Sequence, residues 1–171
     1  MKTEYDVSIH GLGYVGLPLL LATTPHFKVC GVDICKSKLQ AIRNKNVKVE
    51  DCTVGSYLNE RQITLCDVVQ SAKIHVICVP TPVLDNKTPD TRPLEGSLQA
   101  LKAVLRKDDV VIIESTVYPG LLRELVEKTL GRWQEHNIVH CPERINPGDK
   151  KFGLLNIDRV LGANNDHALS Q

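Results

Sequence analysis

A chain of 171 residues, of which 42% are hydrophobic and 24% charged, has the size and composition of one soluble globular domain. Its formal net charge of +1 gives no reason to expect capture of nucleic acid or of an anionic membrane surface. No apolar run approaches the about 20 residues needed to cross a bilayer, and no signal-peptide stretch precedes the first apolar segment, so we expect a cytoplasmic protein.

The first half of the chain alternates extended and helical patterns. The predicted elements are a strand at Tyr5–His10, a helix at 14–23, a strand at 28–34, a helix at 36–44 and a strand at 73–79. Pro18 falls in the first turn of the first helix, where proline is tolerated, and Leu39 and Ile42 share one face of the second. The stretch 53–67 is less clear, and we expect a short helix at 56–60 within it.

The second half continues the alternation after a polar, proline-containing loop at 84–92. The predicted elements are a helix at 94–105, a strand at 110–115, a helix at 119–133, short strands at 138–140 and 159–161, and the start of a helix at 166–169. The order predicts an α/β fold, with a Rossmann-type doubly wound, mostly parallel sheet of about six strands and helices on both faces.

A glycine-rich turn, Gly11-Leu12-Gly13-Tyr14-Val15-Gly16, lies between the first strand and the first helix. Gly11 permits a tight turn, Gly13 lets the backbone approach a diphosphate, and Gly16 lets the helix pack close to the strand. Backbone N–H groups at the helix N-terminus and the helix dipole would hold the diphosphate. The alternative is a turn of purely structural use.

An acidic residue, Asp33, ends the second predicted strand, 20 residues after Gly13. At this place in a dinucleotide-binding unit, an acid accepts hydrogen bonds from the adenosine ribose hydroxyls. A carboxylate there would repel a 2′-phosphate, which favours NAD over NADP. The nearby Lys36 and Lys38 reduce that preference slightly, because a cation could accommodate the phosphate.

The six cysteines and His10 are interpreted as structural residues rather than as functional ones. No secretory signal or Cys-x-x-Cys pair is present and several cysteines lie in apolar runs, so we interpret them as packed thiols rather than as disulfides or zinc ligands, and we expect no metal. They are Cys30, Cys35, Cys52, Cys66, Cys78 and Cys141. His10, at the end of a buried strand, is expected to make a local hydrogen bond rather than to act as a catalytic base.

Five segments together carry a family resemblance. They are Gly11 to Pro18, Val79-Pro80-Thr81-Pro82, Glu114-Ser115-Thr116-Val117-Tyr118-Pro119-Gly120, Cys141-Pro142-Glu143-Arg144-Ile145-Asn146-Pro147-Gly148, and Asp158-Arg159-Val160-Leu161-Gly162. In this order they resemble the UDP-glucose/GDP-mannose dehydrogenase family over essentially the whole chain. The Pro-Glu-Arg form at 142–144 is most similar to the UDP-N-acetylmannosamine and UDP-N-acetylglucosamine dehydrogenase branch, because the UDP-glucose branch usually has Pro-Glu-Phe.

The resemblance implies an enzyme that oxidises the C6 alcohol of a nucleotide-sugar substrate to a carboxylate, in two successive hydride transfers to NAD. It implies that Glu143 acts on the water or proton of the hydrolytic half-reaction, that Thr116 orients that group, and that Arg144 and Ile145 frame the nucleotide sugar. With the glycine turn included, the residues expected to contact NAD are Gly11, Gly13, Tyr14, Val15, Gly16, Asp33, Thr81 and Thr116.

The residues themselves support part of this assignment. Thr81 and Thr116 follow predicted parallel strands, and ligands of such sheets bind in the crevice at the carboxyl ends of the strands. Glu143 also follows a short strand and would face that crevice, although Glu143 and Arg144 could instead form a surface ion pair beside a turn. Glu114 is expected to bond to backbone or to orient another group.

Some parts of the family pattern are not found in these residues. The family's nucleophilic cysteine lies in a Gly-x-Cys-x-x-x-Asp segment farther along the chain, as does its catalytic lysine. We interpret Cys141, which directly precedes the Pro-Glu-Arg segment, as a packed side chain. The central helical segment through which the family dimerises and its C-terminal domain are also lacking. We therefore expect 1–171 to be the NAD-binding domain of a longer homo-oligomeric enzyme, inactive by itself.

Two other functions remain open at this point. A different Rossmann dehydrogenase, of the hydroxyacid or 6-phosphogluconate type, would share the glycine turn but not the Glu-Ser-Thr and Pro-Glu-Arg segments. A non-catalytic NAD-sensing module would explain the lack of the nucleophile, but such a module would have no need of Thr116 or Glu143.

Overall fold

The computed structural model describes residues 5–47, 63–144 and 157–170. The strands among them are β1 Tyr5–His10, β2 Val29–Val32, β3 Thr64–Cys66, β4 Ala72–Ile77, β5 Val110–Ile113, β6 Asn137–His140 and β7 Gly162–Ala163. The helices are α1 Gly16–Thr23, α2 Lys36–Arg43, α3 Arg92–Leu101, α4 Leu121–Thr129 and α5 Asp166–Ser170, with a 3-10 turn at Trp133–Glu135.

The described strands form one sheet in the order β3-β2-β1-β4-β5-β6-β7. Neighbouring strands are parallel except for β6 and β7, which run antiparallel. From β1 the chain moves outward through β2 to β3, and then returns to β4 on the other side of β1. Such a reversal of strand order opens a crevice at the carboxyl ends of the strands, where open α/β sheets bind ligands.

Helices cover both faces of this sheet. Adjacent residues in a strand point to opposite faces, and Val76 and Ile77 in β4 belong to different apolar clusters. Val76 packs with buried leucines of α1 and α2, whereas Ile77 packs with those of α3 and α4. The predicted doubly wound Rossmann architecture is therefore confirmed.

The helix predicted at 94–105 is α3, which ends at Leu101. Leu94, Leu98 and Leu101 form a fully buried leucine stripe on it, whereas Leu105 lies beyond the helix and is half-buried. Helix boundaries differ from the predicted ones by a few residues. For example, α4 ends at Thr129 and is followed by the 3-10 turn, whereas the sequence predicted one helix over 119–133. The short helix expected at 56–60 lies outside the described residues.

Two strand predictions need correction. The described sheet has seven strands rather than about six, because Thr64–Cys66 pairs with β2 inside a stretch that carried no clear pattern. The strand expected at 159–161 is wrong: the pairing with β6 is made by Gly162–Ala163. The physical reason is that the Arg159 side chain is held at the end of β5, where it pairs with Glu114.

Within the described ranges, no helix is long and apolar enough to cross a membrane.

Candidate cofactor and catalytic site

The glycine turn is sterically closed at its first and last glycines. Gly11 has a φ of 87°, and a Cβ there would lie 3.0 Å from the carbonyl oxygen of Cys78. A Cβ at Gly16 would lie 2.0 Å from the carbonyl oxygen of Gly11, far inside van der Waals contact. The first turn of α1 therefore packs directly against the glycine turn, and only glycine fits at Gly16.

The middle of the turn is open. A Cβ at Gly13 would meet nothing within 4 Å. Val15 is the N-cap residue of α1; no side chain of the described residues caps this helix end, and its first turn carries no acidic residue. Tyr14 is 44% exposed beside it. The positive end of the helix dipole thus faces open space, which suits an anionic diphosphate.

Asp33 directly follows β2 and is tied to the glycine turn. One carboxylate oxygen, Oδ2, accepts hydrogen bonds from the Leu12 N–H at 2.9 Å and from the Lys38 ammonium at 2.7 Å. The other oxygen, Oδ1, accepts from the Cys35 N–H at 2.9 Å. These three donors place the carboxylate at the N-terminal end of α2, next to the turn that follows β1.

The protonation of Asp33 is set by two opposing effects. Burial by itself would raise the pKa of Asp33, whereas the hydrogen bonds from Lys38, Cys35 and Leu12 lower it. The net result is a pKa below the ordinary value, so the carboxylate remains ionised and able to accept further hydrogen bonds. Lys38 offsets part of its negative charge.

Thr81 and Thr116 are brought together by the loops that follow β4 and β5. The Thr81 hydroxyl donates to the carbonyl oxygen of Thr116 at 2.8 Å. One residue earlier, the Ser115 hydroxyl donates to the carbonyl oxygen of Val79 at 2.7 Å. These bonds hold the two loops side by side at the carboxyl edge of the sheet, with Thr116 exposed and Thr81 half-buried.

Glu143 reaches the same edge from β6. The Cys141 N–H donates to the carbonyl oxygen of Ile113 at 2.9 Å, and the Glu143 N–H donates to that of Glu114 at 3.3 Å. The chain after β6 thus continues to run beside the chain after β5. The half-buried Glu143 is brought to the edge that also carries Thr116.

An ion pair that sequence reasoning missed joins the buried Glu114, whose carbonyl oxygen accepts from the Glu143 N–H, to the half-buried Arg159. The guanidinium of Arg159 donates to the Glu114 carboxylate, and it also reaches the carbonyl oxygen of Cys141 at 3.5 Å. Burial raises the pKa of Glu114, the nearby negative charge of Glu143 adds to that rise, and Arg159 opposes it. Of the two expectations for Glu114, the carboxylate bonds to a side chain rather than to backbone, and this pairing is compatible with an orienting role. The signal for Arg159 was its place in the 158–162 segment.

The two cysteines near this pair are poor nucleophiles. Burial raises the pKa of the Cys78 thiol strongly, and it also raises the pKa of the buried Cys141 thiol. Because the thiolate is the reactive form, both side chains remain inert packing groups.

The remaining residues named from the sequence are Arg144, Ile145 and His10. Arg144 is exposed, and its guanidinium donates to the carbonyl oxygen of Asp158 at 3.3 Å. Ile145 lies outside the described residues. His10 ends a buried strand, as expected, but its Nε2 lies 3.3 Å from Nδ1 of His75 in the neighbouring strand, so its partner is distant in sequence rather than local.

The sequence itself decides the family. The family model described as the NAD binding domain of the UDP-glucose/GDP-mannose dehydrogenase family matches residues 5–171. The chain belongs to this family. NAD is accordingly the cofactor of the domain, and the resemblance seen in the five sequence segments is confirmed.

Relatives of this NAD-binding domain are longer proteins. UDP-N-acetyl-D-glucosamine 6-dehydrogenase of Salmonella typhi is 36% identical over 167 residues, which cover 92% of this chain and 39% of that protein. UDP-N-acetyl-D-mannosamine dehydrogenase of Methanococcus maripaludis is 30% identical over 174 aligned positions, covering 95% of this chain and 40% of that protein. The chain thus spans about two fifths of the length of the relatives it matches.

A solved structure agrees on the fold. The UDP-N-acetyl-mannosamine dehydrogenase of Staphylococcus aureus superposes with a TM-score of 0.84 at 24% identity, over 96% of this chain and 43% of that one. The described residues contain no group of three or more histidine, cysteine or acidic side chains able to hold a metal ion.

Proposed function

We propose that this chain is the cofactor domain of a nucleotide-sugar 6-dehydrogenase that oxidises a UDP-N-acetylhexosamine to the corresponding uronate. One observation carries the proposal. The glycine turn, Asp33, Thr81, Thr116 and Glu143 follow five different strands, and all lie at the carboxyl edge of one sheet. The names of the relatives support the substrate class.

The cofactor half of the site would be built by the first two strands. Backbone N–H groups of Gly13, Tyr14 and Val15 and the positive end of α1 would hold the diphosphate above the open space at Gly13. Gly11 and Gly16 keep this backbone in place. The ionised Asp33 would accept hydrogen bonds from the adenosine ribose. NAD, when bound, supplies the hydride acceptor.

The catalytic half would be built by the strands on the other side of β1. The Glu143 carboxylate would take the proton from the attacking water in the hydrolytic half-reaction. The exposed Thr116 hydroxyl would orient that water or the cofactor, with its backbone fixed by Thr81. Arg144 and Ile145 would frame the nucleotide sugar.

The rest of the enzyme would complete this site. Because the chain spans about two fifths of its relatives, the nucleophilic thiol and most sugar contacts would come from a region beyond residues 1–171, within a cytoplasmic homo-oligomer. Precursors for polysaccharide synthesis would be the natural products. We propose neither a nucleic acid nor a membrane as a partner.

Titration calorimetry tests the proposal directly. The chain should bind NAD with measurable heat, and NADP should bind more weakly because Asp33 faces the 2′-phosphate position. An absence of NAD binding, or a clear preference for NADP, would contradict the proposal. Activity on a small hydroxyacid would instead favour another class of Rossmann dehydrogenase.

A further inference from the structure

Two cysteine thiols lie close together on one face of the sheet, away from the Glu143 site. The sulfur atoms of Cys30 in β2 and Cys66 in β3 are 3.4 Å apart. Both side chains pack in a small apolar cluster with Val32 and Ala72. Cys30 is completely buried, whereas Cys66 is half-buried. Only one of the two thiols is therefore within reach of a dissolved reagent.

The strand register explains this proximity. Cys30 pairs with Thr64, and Val32 pairs with Cys66, so the two cysteines are diagonal neighbours whose side chains point to the same face. A disulfide needs a sulfur–sulfur distance of about 2.05 Å and a Cα–Cα distance of about 4.4–6.8 Å, whereas diagonal neighbours lie about 7–8 Å apart, so the backbone of one strand must move for a bond to form. β3 can supply that movement, because it has three residues and is the edge strand of the described sheet.

We propose that Cys30 and Cys66 are a peroxide-sensitive pair that forms an intramolecular disulfide between β2 and β3. The Cys66 thiolate attacks hydrogen peroxide, so that an S–O bond forms, the O–O bond breaks and hydroxide leaves. The Cys30 thiolate then attacks the Cys66 sulfenic acid, so that the S–S bond forms and a second hydroxide leaves. With the two thiol protons, both hydroxides become water. Two thiols are oxidised by two electrons and one peroxide is reduced.

The disulfide would act on the cofactor site through backbone contacts. The Asp33 N–H donates to the carbonyl oxygen of Cys66 at 3.1 Å, and Lys36 forms an ion pair with Asp67 at 3.5 Å. Drawing β3 toward β2 would shift these two contacts, which hold the loop that carries Asp33. We expect NAD affinity to fall by roughly fivefold, the effect of about one lost hydrogen bond. This second step rests on the proposed role of Asp33.

The test must separate this pair from the other thiols. Cys35 is exposed, and hydrogen bonds from Ser37 and from the Lys38 N–H lower its pKa, so it will react with peroxide readily. Cys52 lies outside the described residues. We therefore choose a Cys35→Ser/Cys52→Ser background, in which Cys78, half-buried like Cys66, and the buried Cys141 remain as internal controls.

Peptide mapping gives the primary readout. The background variant is treated with stoichiometric hydrogen peroxide, alkylated under denaturing conditions and digested without reductant. We expect one cross-linked peptide pair joining Cys30 to Cys66, lighter by two hydrogens and separated by dithiothreitol. A further Cys66→Ser change should abolish the cross-link. Cross-linking through other cysteines, or full alkylation of both thiols after peroxide treatment, would overturn the proposal.

The unmodified 171-residue chain, mapped in the same way, keeps the test decisive if a serine variant fails to fold. Calorimetry before and after oxidation then measures the coupling. A cross-linked protein with unchanged NAD affinity would refute the link to the cofactor site. Failure of the reduced chain to bind NAD would instead count against the proposed function, and the mapping result would be unaffected by it.

Discussion

At the scale of single residues, Asp33 shows how its surroundings prepare a common residue type for the proposed contact with ribose. Its place in the sequence, 20 residues after Gly13, is enough to predict a ribose-binding acid. The structure adds the three donors that keep it ionised: Lys38 and the N–H groups of Cys35 and Leu12. Because Lys38 also offsets its charge, discrimination against NADP should be moderate rather than absolute.

Replacing Asp33 with asparagine should weaken NAD binding by roughly 10- to 100-fold, the range expected for loss of a hydrogen bond to a charged group. The amide is a weaker acceptor and leaves the Lys38 ammonium without its anionic partner. Calorimetry would measure the affinity, with Asp85→Asn in the exposed loop as the matched control. An unchanged affinity for NAD in Asp33→Asn would show that the Asp33 carboxylate does not contribute to NAD binding.

Two helical glycines offer a matched pair of alanine substitutions. At Gly16 the new Cβ would lie 2.0 Å from a backbone oxygen, so Gly16→Ala should destabilise the fold by roughly 1–3 kcal/mol, as overpacking does. Gly96 in α3 has open space within 4 Å, so Gly96→Ala should stabilise by roughly 0.5–1 kcal/mol. Urea denaturation would measure both. Equal effects in the two variants would disprove the steric account of Gly16.

At the scale of elements, one ion pair joins the last described segments to the centre of the sheet. Arg159 precedes β7 and pairs with Glu114, which directly follows β5. Glu143 is bonded through its N–H to the same Glu114 residue. The pair therefore positions the chain that carries Glu143.

Replacing Arg159 with methionine should leave Glu114 buried without its cation and destabilise the fold by roughly 1–3 kcal/mol near neutral pH. The pKa of Glu114 is already raised and should rise further in the variant. A raised pKa of an acid means that the folded state binds the proton more tightly than the unfolded state, so the loss should shrink as the pH falls. Adding Glu114→Gln should restore much of the stability. A loss independent of pH and of Glu114→Gln would point to packing alone.

The pairing of β1 with β4 carries a second polar contact, between His10 and His75. Both are buried, and among the described residues His10 Nδ1 and His75 Nε2 have no hydrogen-bond partner. Burial lowers the pKa of His10 to about 3, helped by the charge of His75, and lowers the pKa of His75 to about 4. Asp109 and Arg106 act on His75 in opposite directions.

The free energy of unfolding should therefore fall as the pH drops below about 6.5, the ordinary histidine value. The unfolded state then binds protons that the folded state does not bind. Each histidine therefore lowers the free energy of unfolding by roughly 1 kcal/mol per pH unit until the pH reaches its pKa in the folded state. Urea denaturation between pH 7 and pH 5 would measure the slope. His75→Gln should flatten it, whereas His26→Gln, at an exposed position, should not. Equal slopes in all three proteins would exclude the pair as the cause.

At the scale of the whole molecule, the proposed function assigns to this chain the cofactor half of a larger catalytic unit. With NAD and UDP-N-acetylglucosamine it should produce no NADH, because most sugar contacts of the proposed enzyme would come from a region beyond residues 1–171. Absorbance of NADH would measure this. NADH formation by the chain alone would show instead that the sugar site lies within these residues.

The amino-acid sequence alone was sufficient for the alternation of the longer strands and helices, the doubly wound class, the glycine turn and the position of Asp33. These features depend on local periodicity and on backbone chemistry within about ten residues of each position, as in the buried leucine stripe of α3. For the same reason, the loops bearing Thr81, Thr116 and Glu143 could be assigned to one edge of the sheet.

Tertiary structure alone decided the short edge strands, the Arg159–Glu114 pair and the contact between Cys30 and Cys66. Each depends on residues that are far apart in sequence, and neither a two-residue strand nor a lone arginine has a local pattern that shows its partner. β3 exists because β2 offers it hydrogen bonds, and β7 begins at Gly162 because Arg159 is held at the end of β5. Local chemistry thus predicted what the edge of the sheet binds, and long-range packing decided how that edge is held.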